Sequence, residues 1–197
     1  MPNHVTTKMR VTGPAEAVAR FKNAHIRITA EEGGFQFDLS SVIPRPAVFE
    51  GTVASGDKEN QENPQNQLAF KETGFYHWYD WAVAKWGTKW NSYEFRWVDE
   101  EPEKLVFLFE TAWSMPEPIL QKLVKLYPEL QFVTMSFDEC WNWAAIGAVH
   151  DTPKGRAFRL ESAVCTPNLY KAVYGIDWEP ETEDDPVPEP LGSKEIH

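Results

Sequence analysis

The chain has 197 residues, of which 42% are hydrophobic and 14% aromatic, and a formal net charge of −11. That length and apolar content suit one folded domain with a core of its own. No window approaches the roughly 18 uncharged apolar residues that a spanning helix needs, and the acidic balance opposes general affinity for phosphate backbones.

The N-terminal Met-Pro-Asn-His-Val-Thr-Thr-Lys lacks the apolar run of a secretion signal, so a cytoplasmic location is expected. His4 to Val11 is β-branched and thinly charged, which predicts a strand. Pro14 and Glu16 then open a helix through about Asn23, with Val18 and Phe21 inward. Phe35, Phe37 and Leu39 alternate with polar residues and predict a second strand ending near Pro44. The stretch 54–67 holds one apolar side chain and reads as a mobile surface loop.

Residues 78–91 contain four of the nine tryptophans. Phe75, Trp78, Ala82 and Trp86 recur at helical spacing with Trp81 beside them, so a buried helix is predicted from Gly74 to Trp86. Gly87 supplies its left-handed stop, and Lys85 and Lys89 suit the negative end of the helix. Asn91 to Val98 and Leu105 to Thr111 read as paired strands, the second covered on both faces. Ser114 and Glu117 have the spacing of a capping box before a helix over Ile119, Leu123 and Leu126. Leu130 to Phe137 is a further strand. Trp141 to Val149 and Ala157 to Leu160 form a terminal hairpin, and Thr166-Pro167 opens a last short helix.

This order predicts an α+β fold, a ferredoxin-like split β-α-β sandwich. Its antiparallel sheet carries helices on one face, an inserted Trp-rich helix and an appended hairpin. The domain is expected to span residues 1–176. Residues 177–197 read as a disordered, acidic, proline-rich tail, with seven acids and no bases from 177 to 189. Without that tail the body has 22 acids against 18 bases, or −4.

Two motifs carry a resemblance. Trp86-Gly87-Thr88-Lys89-Trp90-Asn91, and Phe109-Glu110-Thr111-Ala112-Trp113-Ser114-Met115-Pro116-Glu117-Pro118, resemble the ferredoxin-like domain of YubB-type phage and plasmid proteins. The likeness covers roughly residues 1–165. It implies the fold and a setting among accessory genes of bacterial viruses and conjugative plasmids. It implies no activity, cofactor or site residue.

His4, His25, His77, His150 and His197 are scattered, and Cys140 and Cys165 form no Cys-x-x-Cys, so neither a metal nor a cofactor is expected. Phosphate-binding glycine loops and G-x-S-x-G are absent from the sequence. Cys140 lies among Asp138, Glu139 and Trp141, a poor setting for a reactive thiolate. His150 and Asp151 are adjacent on a strand and point to opposite faces. Trp78, Trp81, Trp86, Trp97 and Trp113 are expected in the core.

The turn Thr88, Lys89, Trp90 and Asn91 is the candidate partner-binding segment, its structural alternative being a cap and strand start. Trp141 and Trp143 on one strand face, with Lys154, Arg156 and Arg159 across the hairpin, form the alternative of a single-stranded nucleic-acid binder. A dispersed catalytic site using Glu110 or Asp138 is the third reading. The expectation is a non-enzymatic accessory protein that binds a host or element protein. A narrower version has its acidic surface imitating DNA phosphate. No sequence feature fixes the oligomeric state.

Overall fold

The structure is a computed structural model that describes residues 3–30, 33–54, 58 and 62–179. Strand β1 (His4–Thr12) is followed by helix α1 (Ala15–His25) and a two-stranded ribbon, β2 (Ile26–Ile28) and β3 (Phe35–Phe37). Short helical turns at Leu39–Val42 (α2) and Ala47–Phe49 lead to α3 (Pro64–Thr73) and the tryptophan helix α4 (Trp78–Trp86). Then come β4 (Tyr93–Glu101), β5 (Lys104–Ala112), α5 (Glu117–Leu126), β6 (Gln131–Asp138), the hairpin β7 (Ala144–Thr152) and β8 (Gly155–Ala163), and α6 (Pro167–Tyr174).

Six strands form one sheet in the order β4-β5-β1-β6-β7-β8, with antiparallel neighbours throughout. Within it β1, β4, β5 and β6, with α1 and α5, make the ferredoxin-like unit, and β7 and β8 extend its edge.

One sheet face carries Met9, Val11, Phe107, Phe109 and Phe132, all fully buried against the helices. Phe107 is the hub of this aromatic core. Its ring lies 5.2 to 6.5 Å from those of Phe21, Phe37, Phe95, Trp97 and Phe109. Each such ring removed from water contributes about 1.5–3 kcal/mol by area. The last helix and the segment leading into it cover part of the opposite face: Val173 and Cys165 pack with Phe137 and Ala144, and Lys8 Nζ donates to the Ala172 carbonyl at 2.8 Å.

Several expectations need correction. The strand predicted to end near Pro44 stops at Phe37, because the Asp38 carboxylate accepts from Ser40 N and starts a helical turn. The resulting ribbon stands outside the main sheet, where β4 takes the place expected for that strand. The loop expected over 54–67 lies largely outside the described residues, but its end is helical. Asn63 caps α3 by accepting from the Gln65 and Asn66 amides, and Pro64 occupies its first turn.

The tryptophan helix starts at Trp78 rather than Gly74, since Gly74 (φ 80°) ends the preceding helix. Of the predicted tail, Asp177 pairs with Lys171 at 2.8 Å and Trp178 packs edge-on to Trp141 at 5.4 Å. Residues 180–197 lie outside the described residues. Among the described residues no helix is long and apolar enough to cross a membrane.

His25 closes the end of α1. It is buried, with Nδ1 at 2.7 Å from Ser41 Oγ and Nε2 at 3.0 Å from Tyr127 Oη. Desolvation lowers its pKa from 6.5 to about 4, against the opposing pull of Asp38. Between these two values the unfolded chain binds the extra proton and the folded chain does not. This contribution is therefore fully present above pH 6.5 and is lost as pH falls toward 4. Urea unfolding should show a loss on the order of 2–3 kcal/mol across that window, and His25→Gln should flatten it. An unchanged slope in the variant would assign the loss to other groups.

Candidate functional site

The two tryptophan motifs meet at Gly87. Helix α4 buries Trp81 and Trp86 and ends there in the left-handed region (φ 81°), the Gly87 N–H donating to the Ala82 and Val83 carbonyls. A β-carbon at Gly87 would stand 2.7 Å from Pro118 Cδ, so both the backbone and its neighbour require glycine. Ser114 Oγ donates to the Gly87 carbonyl instead of capping α5, which accordingly begins at Glu117 without a side-chain cap. Thr88 Oγ1 donates to the Ala112 carbonyl at 2.9 Å. Together these bonds fasten the turn after α4 to the connection between β5 and α5.

Of the four predicted contact residues, two are structural. Thr88 is buried by the bond just described. Asn91 accepts from the Leu39 and Ser92 amides and donates to Asp38 Oδ1 at 2.7 Å. Lys89 and Trp90 reach the surface. The Lys89 ammonium lies 4.7 Å from the Trp90 ring centroid, 5.1 Å from that of Trp113 and 5.7 Å from that of Tyr79. Among the described residues no carboxylate comes within salt-bridge distance of it. Trp113, expected in the core, is 44% exposed and held at φ 67°, a conformation that costs a bulky residue about 1–2 kcal/mol.

Beside this surface lies a cleft of about 580 Å³, lined by both motifs and by the 138–143 turn. Asp138 forms part of its wall, with Trp113, Trp143 and Met115. The carboxylate is only 3% exposed. Its Oδ1 accepts from the Cys140 amide at 2.9 Å and the Asn142 amide at 3.5 Å, and its Oδ2 accepts from Asn3 Nδ2 at 3.2 Å.

The residues of the nucleic-acid alternative are not gathered. Trp141 and Trp143 precede β7 in a turn and diverge. Trp141 stacks on Tyr170 at 5.8 Å and meets Phe137 edge-on, whereas Trp143 packs against the main core. Lys154 and Arg156 lie at the far end of the hairpin, where Thr152 pairs with Gly155; Ala144 pairs with Ala163 at the near end. Eight residues at about 3.3 Å each separate these ends by roughly 26 Å. Arg156 is tied to the Pro128 and Leu130 carbonyls and to Asp151, while Arg159 sits mid-strand opposite Ala148.

Glu110 and Asp138 lie on opposite faces of the sheet, as their register with Thr6 and Val5 shows. Glu110 joins a polar cluster that spacing could not have disclosed. His4 Nδ1 lies 2.7 Å from Tyr93 Oη and 3.5 Å from Glu110 Oε2, and Thr6 Oγ1 donates to Oε1. Burial pushes the Glu110 carboxyl up, with His4 opposing and Glu94 adding. Burial and then Glu110 push Tyr93 up to about 12. Cys140 is exposed, and its thiol is raised by desolvation and by Asp138 and Glu139. Among the described residues no group of three or more His, Cys, Asp or Glu is placed to hold a metal ion.

Comparison with known proteins addresses this same region. Residues 85–148 match the family model of the ferredoxin-like domain in Api92-like protein. The match takes in the Gly87 junction, Lys89, Trp113 and the 138–143 turn. A crystal structure of a protein api92 from Yersinia pseudotuberculosis superposes with a TM-score of 0.47 at 8% identity, covering 83% of this chain and 99% of that one. No curated protein matches.

Gly87→Ala should cost about 2–3 kcal/mol, combining the backbone penalty with the contact on Pro118. Gly74→Ala should cost only about 1 kcal/mol, because open space surrounds that glycine. Equal losses in denaturant unfolding would show that the approach of Gly87 to Pro118 is not limiting.

Proposed function

We propose that the chain is a non-catalytic accessory protein that binds another protein through the face bearing Tyr79, Lys89, Trp90 and Trp113. The observation that carries this reading is an ammonium group flanked by three aromatic rings and lacking a carboxylate partner of its own among the described residues. The rings hold Lys89 in place at little further entropic cost, and two of them remain exposed to a partner. Trp and Tyr beside a fixed cation have the composition of a binding hot spot.

The complementary surface has an Asp or Glu next to an apolar side chain. The carboxylate pairs with Lys89, and the apolar group covers the indoles of Trp90 and Trp113. The net charge of −11 adds selectivity, since it repels acidic surfaces that cannot make this contact. The likeness of Trp86–Asn91 and Phe109–Pro118 to YubB-type proteins supports a setting in a phage or plasmid, with a host or element protein as the partner.

Affinity capture from nuclease-treated host lysate tests this with the intact chain, Lys89→Glu and Trp90→Ala. The expected result is one stoichiometric protein, lost with Lys89→Glu, weakened at least tenfold by Trp90→Ala, and crosslinked from position 90 to a peptide containing Asp or Glu. Capture indifferent to both substitutions would overturn the reading. Nucleic acid recovered only without nuclease would transfer binding to the nucleic-acid alternative.

A further inference from the structure

The cleft beside Trp113 has chemistry that the protein-binding face does not use. Asp138 is almost wholly buried, yet among the described residues no Lys, Arg or His nitrogen lies within 4.0 Å of it. Its bonds come from two backbone amides and one neutral amide side chain. A carboxylate accepts at about four lone-pair sites, so one stays open at Oδ2. Burial of an anion without a counter-cation is unfavourable, and a cation entering the cleft would offset that cost. The walls reinforce this preference. Trp113 and Trp143 offer indole surface, Glu117 adds a second carboxylate, and Met115 and Leu160 provide apolar surface for an aliphatic stem. The volume of about 580 Å³ is that of a small-molecule site.

We infer that this cleft binds an ammonium or guanidinium group on a short aliphatic stem, with Asp138 as its counter-ion and Trp113 and Trp143 as its walls. The cation donates to Asp138 Oδ2, and the stem runs along Met115 toward Leu160. Such a group is found on a free diamine or on a lysine or arginine side chain. The site differs from the Lys89 face in sign: it attracts a cation, whereas Lys89 attracts a carboxylate.

The test titrates the intact chain with agmatine and with 1,5-diaminopentane, following the indole N–H resonances of Trp113 and Trp143. 1-Pentanol serves as the neutral control, and acetyl-Ala-Arg-Ala-amide represents a side chain in a peptide. Saturable shifts of both resonances with the cations, and none with 1-pentanol, are expected. Asp138→Asn should weaken binding about ten- to a hundredfold, the range for a charge-assisted hydrogen bond. Its melting curve checks that the 138–143 turn survives, and Glu117→Gln, at the cleft edge, should give a smaller loss if that turn does not. Tighter binding of the tripeptide than of agmatine would identify a protein side chain as the source, and the reverse order a free amine. Absence of saturable shifts, or equal affinity for the cations and 1-pentanol, would overturn the inference. So would binding unchanged in a folded Asp138→Asn.

Discussion

The close approach of Gly87 to the start of α5 is the constraint on which both surface features depend. Any side chain at Gly87 would meet Pro118, and its left-handed backbone turns the chain sharply out of the tryptophan helix. The Ser114 hydroxyl and the Thr88 hydroxyl then join the two segments from either side. Residues 24 to 27 positions apart in sequence are held as one unit. The Lys89 ammonium consequently lies over Trp113, and the wall of the neighbouring cleft is formed by the same connection.

Local strain accompanies this arrangement. The described non-glycine residues with positive φ are Glu94, Trp113 and Trp141. Trp113 exposes its indole beside Lys89, Trp141 shapes the turn that presents Asp138, and Glu94 lies at an irregularity of β4 next to Tyr93. A cost of about 1–2 kcal/mol at each is small beside an aromatic core of this size. The rigid sheet, with Phe107 at its hub, can hold these conformations because burial elsewhere outweighs them.

Much of the fold was legible because it rests on local pattern. Val18 and Phe21 at helical spacing, the alternation of Tyr93, Phe95 and Trp97, and Gly87 as a stop all act within a few residues. The errors came where a specific hydrogen bond or backbone angle outcompeted the periodic signal. Ser114 has the spacing of a cap, but the Gly87 carbonyl takes its hydroxyl. Asp38 ends a strand that apolar alternation would have continued. Trp113 resembles a core residue by type alone, and its exposure follows from a backbone angle that no periodicity reports. The candidate site was half legible. Lys89 and Trp90 follow a recognisable stop signal, but Asp138 acquires its meaning only from Asn3 and the chain around it, and His4 meets Glu110 only through strand register.

The central claim is that the Gly87 junction holds the Lys89 ammonium among the rings of Tyr79, Trp90 and Trp113. The most direct measurement is the proton NMR of the Lys89 side chain in the intact protein at two salt concentrations. The account predicts ε-methylene protons shifted strongly upfield by ring currents, with nuclear Overhauser contacts to Trp90 and Trp113 that persist in high salt. Resonances at ordinary lysine positions, without contacts to either indole, would contradict it.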